Sequence, residues 1–265
     1  MTVGFLGGDR RMEIAADFLK RAGHDVRVAR EGVPEASFFA GLDLLVLPYP
    51  ATRDGVHIAS TALPFSRVPL AKRTALFGGR LPLLWREGRV SFEAEDDEPF
   101  LLKNAYLTAA AGVCTALRAS ERAFLGVKAA VLGYGRIGKA TAKMLRAMGA
   151  DVCVYVRRAA AKEEAEGAGF SARLLSDVSA LSEEIVFGTV PAPAEGIARL
   201  SAKEGALIYD LGGGLPTAFP TRSGKSALTL PLRGAPGVFA PRAAGEVYGE
   251  CVLDALSRLE GGGAQ

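Results

Sequence analysis

Apolar residues in this chain fall into two alternating patterns, short continuous runs that fit strands and stripes at three- to four-residue spacing that fit helices. Thr2–Leu6 reads as a strand, Arg10–Arg21 as an amphipathic helix, and Asp25–Ala29 as a second strand after the Gly23 stop. Further strands are expected at Leu42–Leu47, ending at Pro48, at Thr74–Phe77, ending at Gly78 and Gly79, and as a short piece at Leu81–Trp85. From Phe100 to about Arg122 the pattern is helical and rich in Ala and Leu. An apolar strand, Ala129–Leu132, then runs into Gly133, a helical stripe (Ile137, Ala140, Met144, Leu145, Met148) closes on Gly149, and Val152–Val156 is strand again. Ile185–Thr189, Ala206–Leu211 and the weaker Leu228–Pro231 add strands. A last helix is expected to begin near Pro241, since Pro suits the first helical position. Its stripe (Ala244, Val247, Cys251, Leu253–Ala255, Leu259) should pack on a domain, the first by preference.

Strands alternating with helices imply parallel sheets, whose ligands bind beyond the C-terminal strand ends. In the first hundred residues that rule selects the loops Gly7–Arg11, Pro48–Asp54 and Gly78–Arg80. The acidic run Glu93–Glu98 ahead of Pro99 marks a composition shift. The expected fold is α/β, with two doubly wound parallel-sheet domains, the second a Rossmann dinucleotide-binding domain, and a C-terminal helix returning to the first. The expected boundaries are 1–98 with 242–265, and 99–241. Two segments would then cross between domains, Phe100–Arg122 and the helix at Pro241, and the active site would lie in the cleft between them.

The stretch Val127–Arg158 holds the parts of a dinucleotide-binding βαβ unit in order, with Gly133, Gly135 and Gly138 at GxGxxG spacing. Gly133 permits the tight turn, Gly135 lets the backbone approach a pyrophosphate, and Gly138 lets helix pack closely on strand. The helix N-terminus supplies free N–H groups and positive dipole charge. Tyr134, Arg136 and Ile137 share this turn, and Val190, Pro191 and Asp210 end the later strands on the same edge, so all are expected to line the cofactor. About 20 residues past the glycines an acidic residue marks NAD. Arg157 and Arg158 stand there instead, and guanidiniums suit a 2′-phosphate. NADP is therefore expected over NAD.

Composition narrows the field further. With 49% apolar residues and a formal charge of +3 scattered along the chain, this is a globular protein without the basic tract of a nucleic-acid binder. Met1 leads straight into a strand with no secretory signal, and the apolar run Ala105–Leu117 is too short to span a bilayer and reads as a buried helix. A cytoplasmic protein without membrane attachment is expected. Cys114, Cys153 and Cys251 are far apart in apolar settings and read as small core residues. No metal cluster is expected.

The chain resembles the dipicolinate synthase A subunits of spore-forming bacteria nearly end to end. The resemblance rests on GGDRR (Gly7–Arg11), LPYPATRDG (Leu47–Gly55), the asparagine and threonine of NAYLT (Asn104–Thr108), LGYGRIGKATAKMLRAMGADV, GTVPAP (Gly188–Pro193), IYDLGGG (Ile208–Gly214) and APGVFAPRAAGE (Ala235–Glu246). It implies an NADP-dependent oxidation of dihydrodipicolinate, made from lysine-pathway intermediates, to the aromatic dicarboxylate dipicolinate. It also implies a partner, a flavoprotein-like B subunit, and a homo-oligomer is expected. The chain departs from the family pattern T-A-E-G, having Ala110 where the glutamate stands.

Two substrate carboxylates call for Arg or Lys forks and hydroxyl donors. Candidates at the cleft are Arg10, Arg11, Thr52, Arg53, Asn104, Thr108 and Arg242, of which Asn104, Thr108, Thr52, Arg10 and Arg242 are taken as the catalytic set. Asp9 either anchors an arginine or caps the Arg10–Arg21 helix, with capping the stronger reading. Tyr106 reads as a core aromatic, with proton donation the alternative, and His24 as solvent-facing. A 2-hydroxyacid dehydrogenase would need a His–carboxylate pair in its nucleotide domain. Here His24 and His57 both lie in the first domain, so that reading falls behind. A non-catalytic NADPH-binding protein that serves a flavoprotein partner is the other alternative.

Overall fold

A computed structural model describes residues 1–30, 32–120, 123–191, 196–232 and 234–262. The expected helix end at Arg122, and Ala192 and Pro193 of GTVPAP, lie outside them. The chain divides into two compact units, Met1–Asn104 with Ala240–Gln265, and Ala105–Phe239. The division falls inside a helix, at Asn104 and Ala105, and not at Pro99.

In chain order the elements are β1 (Thr2–Leu6), α1 (Arg10–Arg21), β2 (Asp25–Ala29), α2 (Ala36–Phe39), β3 (Leu44–Val46), β4 (Ala75–Gly78), α3 (Leu83–Arg86), β5 (Ser91–Glu93) and α4 (Glu98–Ser120). Then follow β6 (Lys128–Leu132), α5 (Arg136–Ala147), β7 (Asp151–Val156), α6 (Ala159–Gly167), β8 (Ser171–Leu174), β9 (Ile185–Gly188), β10 (Leu207–Asp210), β11 (Ala218–Pro220), β12 (Ser226–Pro231), α7 (Ala235–Phe239) and α8 (Pro241–Gly262).

The first unit holds a five-stranded parallel sheet in the order β2-β1-β3-β4-β5. β3 and β4 are buried along their whole length, which is why they read as continuous apolar runs: a parallel sheet is covered on both faces. α1 lays Met12, Ala15, Ala16 and Leu19 into the core. α8 packs against α1 through Gly245 and Gly249, where a Cβ would fall 2.6 Å from Ile14 Cβ and 2.9 Å from Phe18 Cδ1. Glycines one helical turn apart let the two backbones approach closer than side chains permit. Beside this seam Tyr248 sits edge-on to Phe77 and Phe100, its hydroxyl donating to Leu47 O at 2.5 Å. The buried stripe of α8 is Ala244, Tyr248, Cys251, Val252, Ala255 and Leu256, whereas Asp254 of the expected stripe is exposed.

The second unit holds a seven-stranded sheet, β11-β12-β10-β9-β6-β7-β8, parallel except for the edge strand β11. Its six other strands take the 3-2-1-4-5-6 arrangement of doubly wound dinucleotide domains. Helix α4 is long and apolar enough to cross a bilayer by composition. Part of its apolar surface is spent in the protein: Phe100 joins the first unit's core, and Ala111, Val113 and Ala116 join the second's, while Leu102 is exposed.

Three expectations are corrected. Leu81–Trp85 is not a strand but leads into α3, with Trp85 N–H donating to Pro82 O at 2.9 Å. Leu81 and Trp85, four apart, turn inward while Leu83 and Leu84 between them are exposed, which is helical spacing. Cys114 lies on the exposed side of α4 and is not a core residue. Tyr106, on the same helix, is 59% exposed and not a core aromatic.

Candidate dinucleotide site and first-unit cavity

Doubly wound sheets bind ligands where the strand order reverses, beyond the carboxyl ends of the two strands there. In the second unit those strands are β6 and β9. A groove of ≈ 760 Å³, open to solvent, lies at their ends. The turn after β6 gives it Gly133, Tyr134 and Gly135, and the loop after β9 gives it Val190 and Pro191. The end of β7 adds Val156, Arg157 and Arg158.

Each glycine of the turn is there for a different neighbour. Gly133 has φ +103, and a Cβ on it would lie 2.8 Å from Val190 Cγ1. A Cβ on Gly138 would lie 2.2 Å from Gly133 O. At Gly135 a Cβ would meet nothing within 4 Å, and the φ of −80° suits any residue. The protein itself therefore does not demand glycine at Gly135. Space kept clear at the start of a helix is what a pyrophosphate needs. Gly135 is also the N-cap of α5, and it brings no side chain to the first N–H groups of that helix. These features fit a dinucleotide.

Tyr134 is 8% exposed and packs edge-on to Phe170, with Lys139 Nζ 5.6 Å from its ring centre. Burial, with Glu164 adding to it, raises its phenol above the ordinary value, so it stays protonated. Ile137 is half-buried in the core below the turn and Arg136 is exposed. Arg157 and Arg158 are exposed at the end of β7, and Arg158 is the N-cap of α6. Asp210 does not line the groove. Its buried carboxylate accepts the N–H groups of Gly213 at 2.8 Å and Leu215 at 3.3 Å, and so folds the glycine loop after β10. That loop presses on the one after β9, since a Cβ on Gly212 would lie 2.3 Å from Val190 O.

The first unit reverses its strand order at β1 and β3, and a smaller cavity of ≈ 310 Å³ opens there. Asp9, Arg11 and Met12 follow β1, Pro48 and Tyr49 follow β3, and Phe100, Asn104, Ala244 and Tyr248 come from α4 and α8. Asp9 carries out both roles open to it. Its Oδ1 caps α1 by accepting Arg11 N–H at 3.0 Å, and its carboxylate holds the Arg11 guanidinium at 2.8–3.1 Å. Burial opposes its charge, yet the hydrogen bonds and charge of Arg11 prevail and hold the carboxyl below its ordinary value. Burial, with Glu95 adding to it, raises the Tyr49 phenol.

Of the catalytic candidates, Asn104 and Arg11 line this cavity. Thr108 is buried one turn further along α4. Thr52 folds its own turn, accepting Gly55 N–H at 2.9 Å and donating to Asp54 at 3.1 Å. Arg10 and Arg53 are exposed, and Arg242, with 87% of its side chain exposed, pairs with Glu246 at 3.1 Å. His57 Nδ1 meets Asp54 Oδ2 at 2.7 Å, but both are largely exposed and Asp54 also accepts the Val56 and His57 N–H groups, so the pair organises a turn. Phe100 and Tyr248 were not foreseen as cavity walls. Tyr49 belongs to the Pro48–Asp54 loop that the strand-end rule selects.

Comparison with known proteins agrees with this architecture. Residues 109–206 match the family model described as the NAD binding domain of D-isomer specific 2-hydroxyacid dehydrogenases. A nicotinamide dinucleotide is accordingly the ligand class of the second unit. Over its full length the chain has the fold of the dipicolinate synthase A proteins. The one from Bacillus subtilis superposes with TM-score 0.75 at 19% identity, over 98% of this chain and 97% of its own. Its counterpart from Bacillus halodurans gives 0.73 at 18% identity, over 96% and 97%. A putative D-3-phosphoglycerate dehydrogenase from Ralstonia solanacearum gives 0.58 at 18%, over 98% and 95%. Among curated proteins, a UDP-N-acetylmuramoylalanine–D-glutamate ligase of Ruegeria pomeroyi is 50% identical over 52 residues, which is 20% of this chain. The match spans 11% of that ligase's length.

Proposed function

We propose that this chain is an NADP-dependent oxidoreductase of the dipicolinate synthase A kind, acting on a small cyclic dicarboxylate such as dihydrodipicolinate in the cytoplasm. The observation that carries the reading is the groove of the second unit: a capless helix start, clear space at Gly135, and two arginines where the adenosine ribose would lie. Gly133, Gly135 and the α5 N-terminus would hold the pyrophosphate, and Arg157 and Arg158 a 2′-phosphate. When bound, the nicotinamide exchanges a hydride at its C4. The chain's part is to bind, orient and keep dry. Arg11, fixed by Asp9 through one edge of its guanidinium, and Asn104 are the groups we assign to a substrate carboxylate. Thr108, buried one turn beyond Asn104, positions it.

Ala110, in place of the family's glutamate, favours a second reading, in which the chain binds NADPH and leaves the chemistry to a flavoprotein partner. Nicotinamide absorbance of the purified chain with dihydrodipicolinate and NADP⁺ separates the two. Reduction by the chain alone supports the enzyme. Tight NADPH binding with turnover seen solely when a flavoprotein is added would transfer the chemistry to the partner.

A further inference from the structure

The groove that begins at the glycine turn has a neighbour. A second cavity, of ≈ 900 Å³, shares Arg157 and Leu175 with it as walls. It is lined as well by Ser176 and Asp177, which follow β8, and by Arg199. Arg199 ends the short 3-10 turn Ile197–Arg199, whose Ile197 lines the first groove, so one turn furnishes a wall to each cavity. Arg158 lines the first groove alone; Arg157 belongs to both.

A dinucleotide with its pyrophosphate at the α5 N-terminus carries its adenosine ribose to the end of β7, where Arg157 stands. Whatever follows the ribose passes toward the second cavity. A 2′-phosphate brings about two negative charges, more than one guanidinium neutralises. Asp177, which accepts the Ser176 hydroxyl at 2.7 Å, repels a phosphate but suits the exocyclic amino group of an adenine.

Building on the dinucleotide reading above, we propose that this second cavity is the subsite for a 2′-phosphorylated adenosine. Arg199 joins the arginines of the β7 end in holding its phosphate, and Asp177 faces its base. Arg199 is then a specificity-determining residue that no glycine motif predicts. It makes no ion pair among the described residues, and its exposure means that its replacement leaves the fold intact.

Calorimetric titration with 2′,5′-ADP and 5′-AMP tests this without any turnover, with NADPH titrated alongside. The wild type should bind 2′,5′-ADP about ten-fold or more tightly than 5′-AMP, the lower range for a charge-assisted contact. Arg199→Gln should lower that ratio about ten-fold with 5′-AMP unchanged, and Arg199→Lys should recover part of it. An unchanged ratio in Arg199→Gln, or an equal loss for both nucleotides, while NADPH still binds, overturns the subsite and leaves the dinucleotide reading standing. A wild type that binds neither NADPH nor NADH overturns both.

Discussion

The turns after β1 and β6 occupy the same topological place, each following a central strand of its sheet and opening a twelve-residue helix, yet they treat the helix start in opposite ways. After β1 the N-cap is Asp9, whose carboxylate answers the helix's free N–H and positive end and is itself answered by Arg11. After β6 the N-cap is Gly135, which has no side chain with which to answer the helix. The glycines differ in the same sense. A Cβ at Gly7 or Gly8 would strike Ala59 O at 2.6 Å or Met12 Cγ at 2.4 Å, so the fold itself requires them, whereas one at Gly135 would strike nothing. At Gly135 the fold leaves clear the space that a side chain would fill.

Making the second turn imitate the first is the sharpest way to break this contrast. Gly135→Asp should cap α5 and raise stability by a few tenths of a kcal/mol, while its carboxylate takes the place of the pyrophosphate. NADPH affinity should fall by more than about a hundred-fold, roughly 3 kcal/mol. Undiminished binding by a well-folded variant would mean that the dinucleotide lies elsewhere.

The second change leaves the turn alone and strips its flank. Arg157→Ala with Arg158→Ala should cost NADPH about 1.5–3 kcal/mol of affinity and NADH little, since it is the 2′-phosphate that loses charge-assisted contacts. Equal wild-type affinities for the two cofactors would end the NADP preference.

Asp9→Ala attacks the first turn and should lower stability to urea by about 1 kcal/mol, the ordinary worth of an N-cap, with NADPH affinity unmoved. Loss of NADPH binding in that variant would show the two turns are not separate devices. The smallest effect is in acid. Because Asp9 is held below its ordinary 3.8 in the fold, its stabilisation is complete above that value and fades as the pH falls through the lower native one. The gap in urea stability between wild type and Asp9→Ala should therefore narrow as the pH is lowered below about 4. A gap that widens there would contradict the assigned charge state.

Much of this contrast was legible in the residues alone. Strongly periodic α1 and the fully buried strands announce themselves, because a parallel sheet imposes continuous apolar runs and a half-buried helix imposes a stripe. Asp9 before a helical stripe is a cap by composition, and Gly133–Gly138 mark the second turn. What the pattern hid were features decided by packing. Nothing local says that Leu81 and Trp85 share a helical face, that Cys114 and Tyr106 face outward, or that Gly245 and Gly249 seat α8 on α1. That Arg10, Arg53 and Arg242 stand exposed was equally hidden, since charge type is visible in a sequence but the direction of a long side chain is not. Strand order supplied what was missing, since it names the two loops of each sheet where a ligand fits and so sets Gly78–Arg80 aside in the first unit.

The hydrogen bond from Tyr248 to Leu47 spans 201 positions of the chain and has a consequence for its birth. The second unit is a continuous stretch and can close once residue 239 has been made. The first has its sheet and α1 early but waits for α8, with the α1 surface that will receive Gly245 and Gly249 left bare. At ordinary rates of synthesis that wait is on the order of ten seconds. The half of the protein made first is thus the last to be finished, and it is the half that a nascent-chain chaperone would find unsealed.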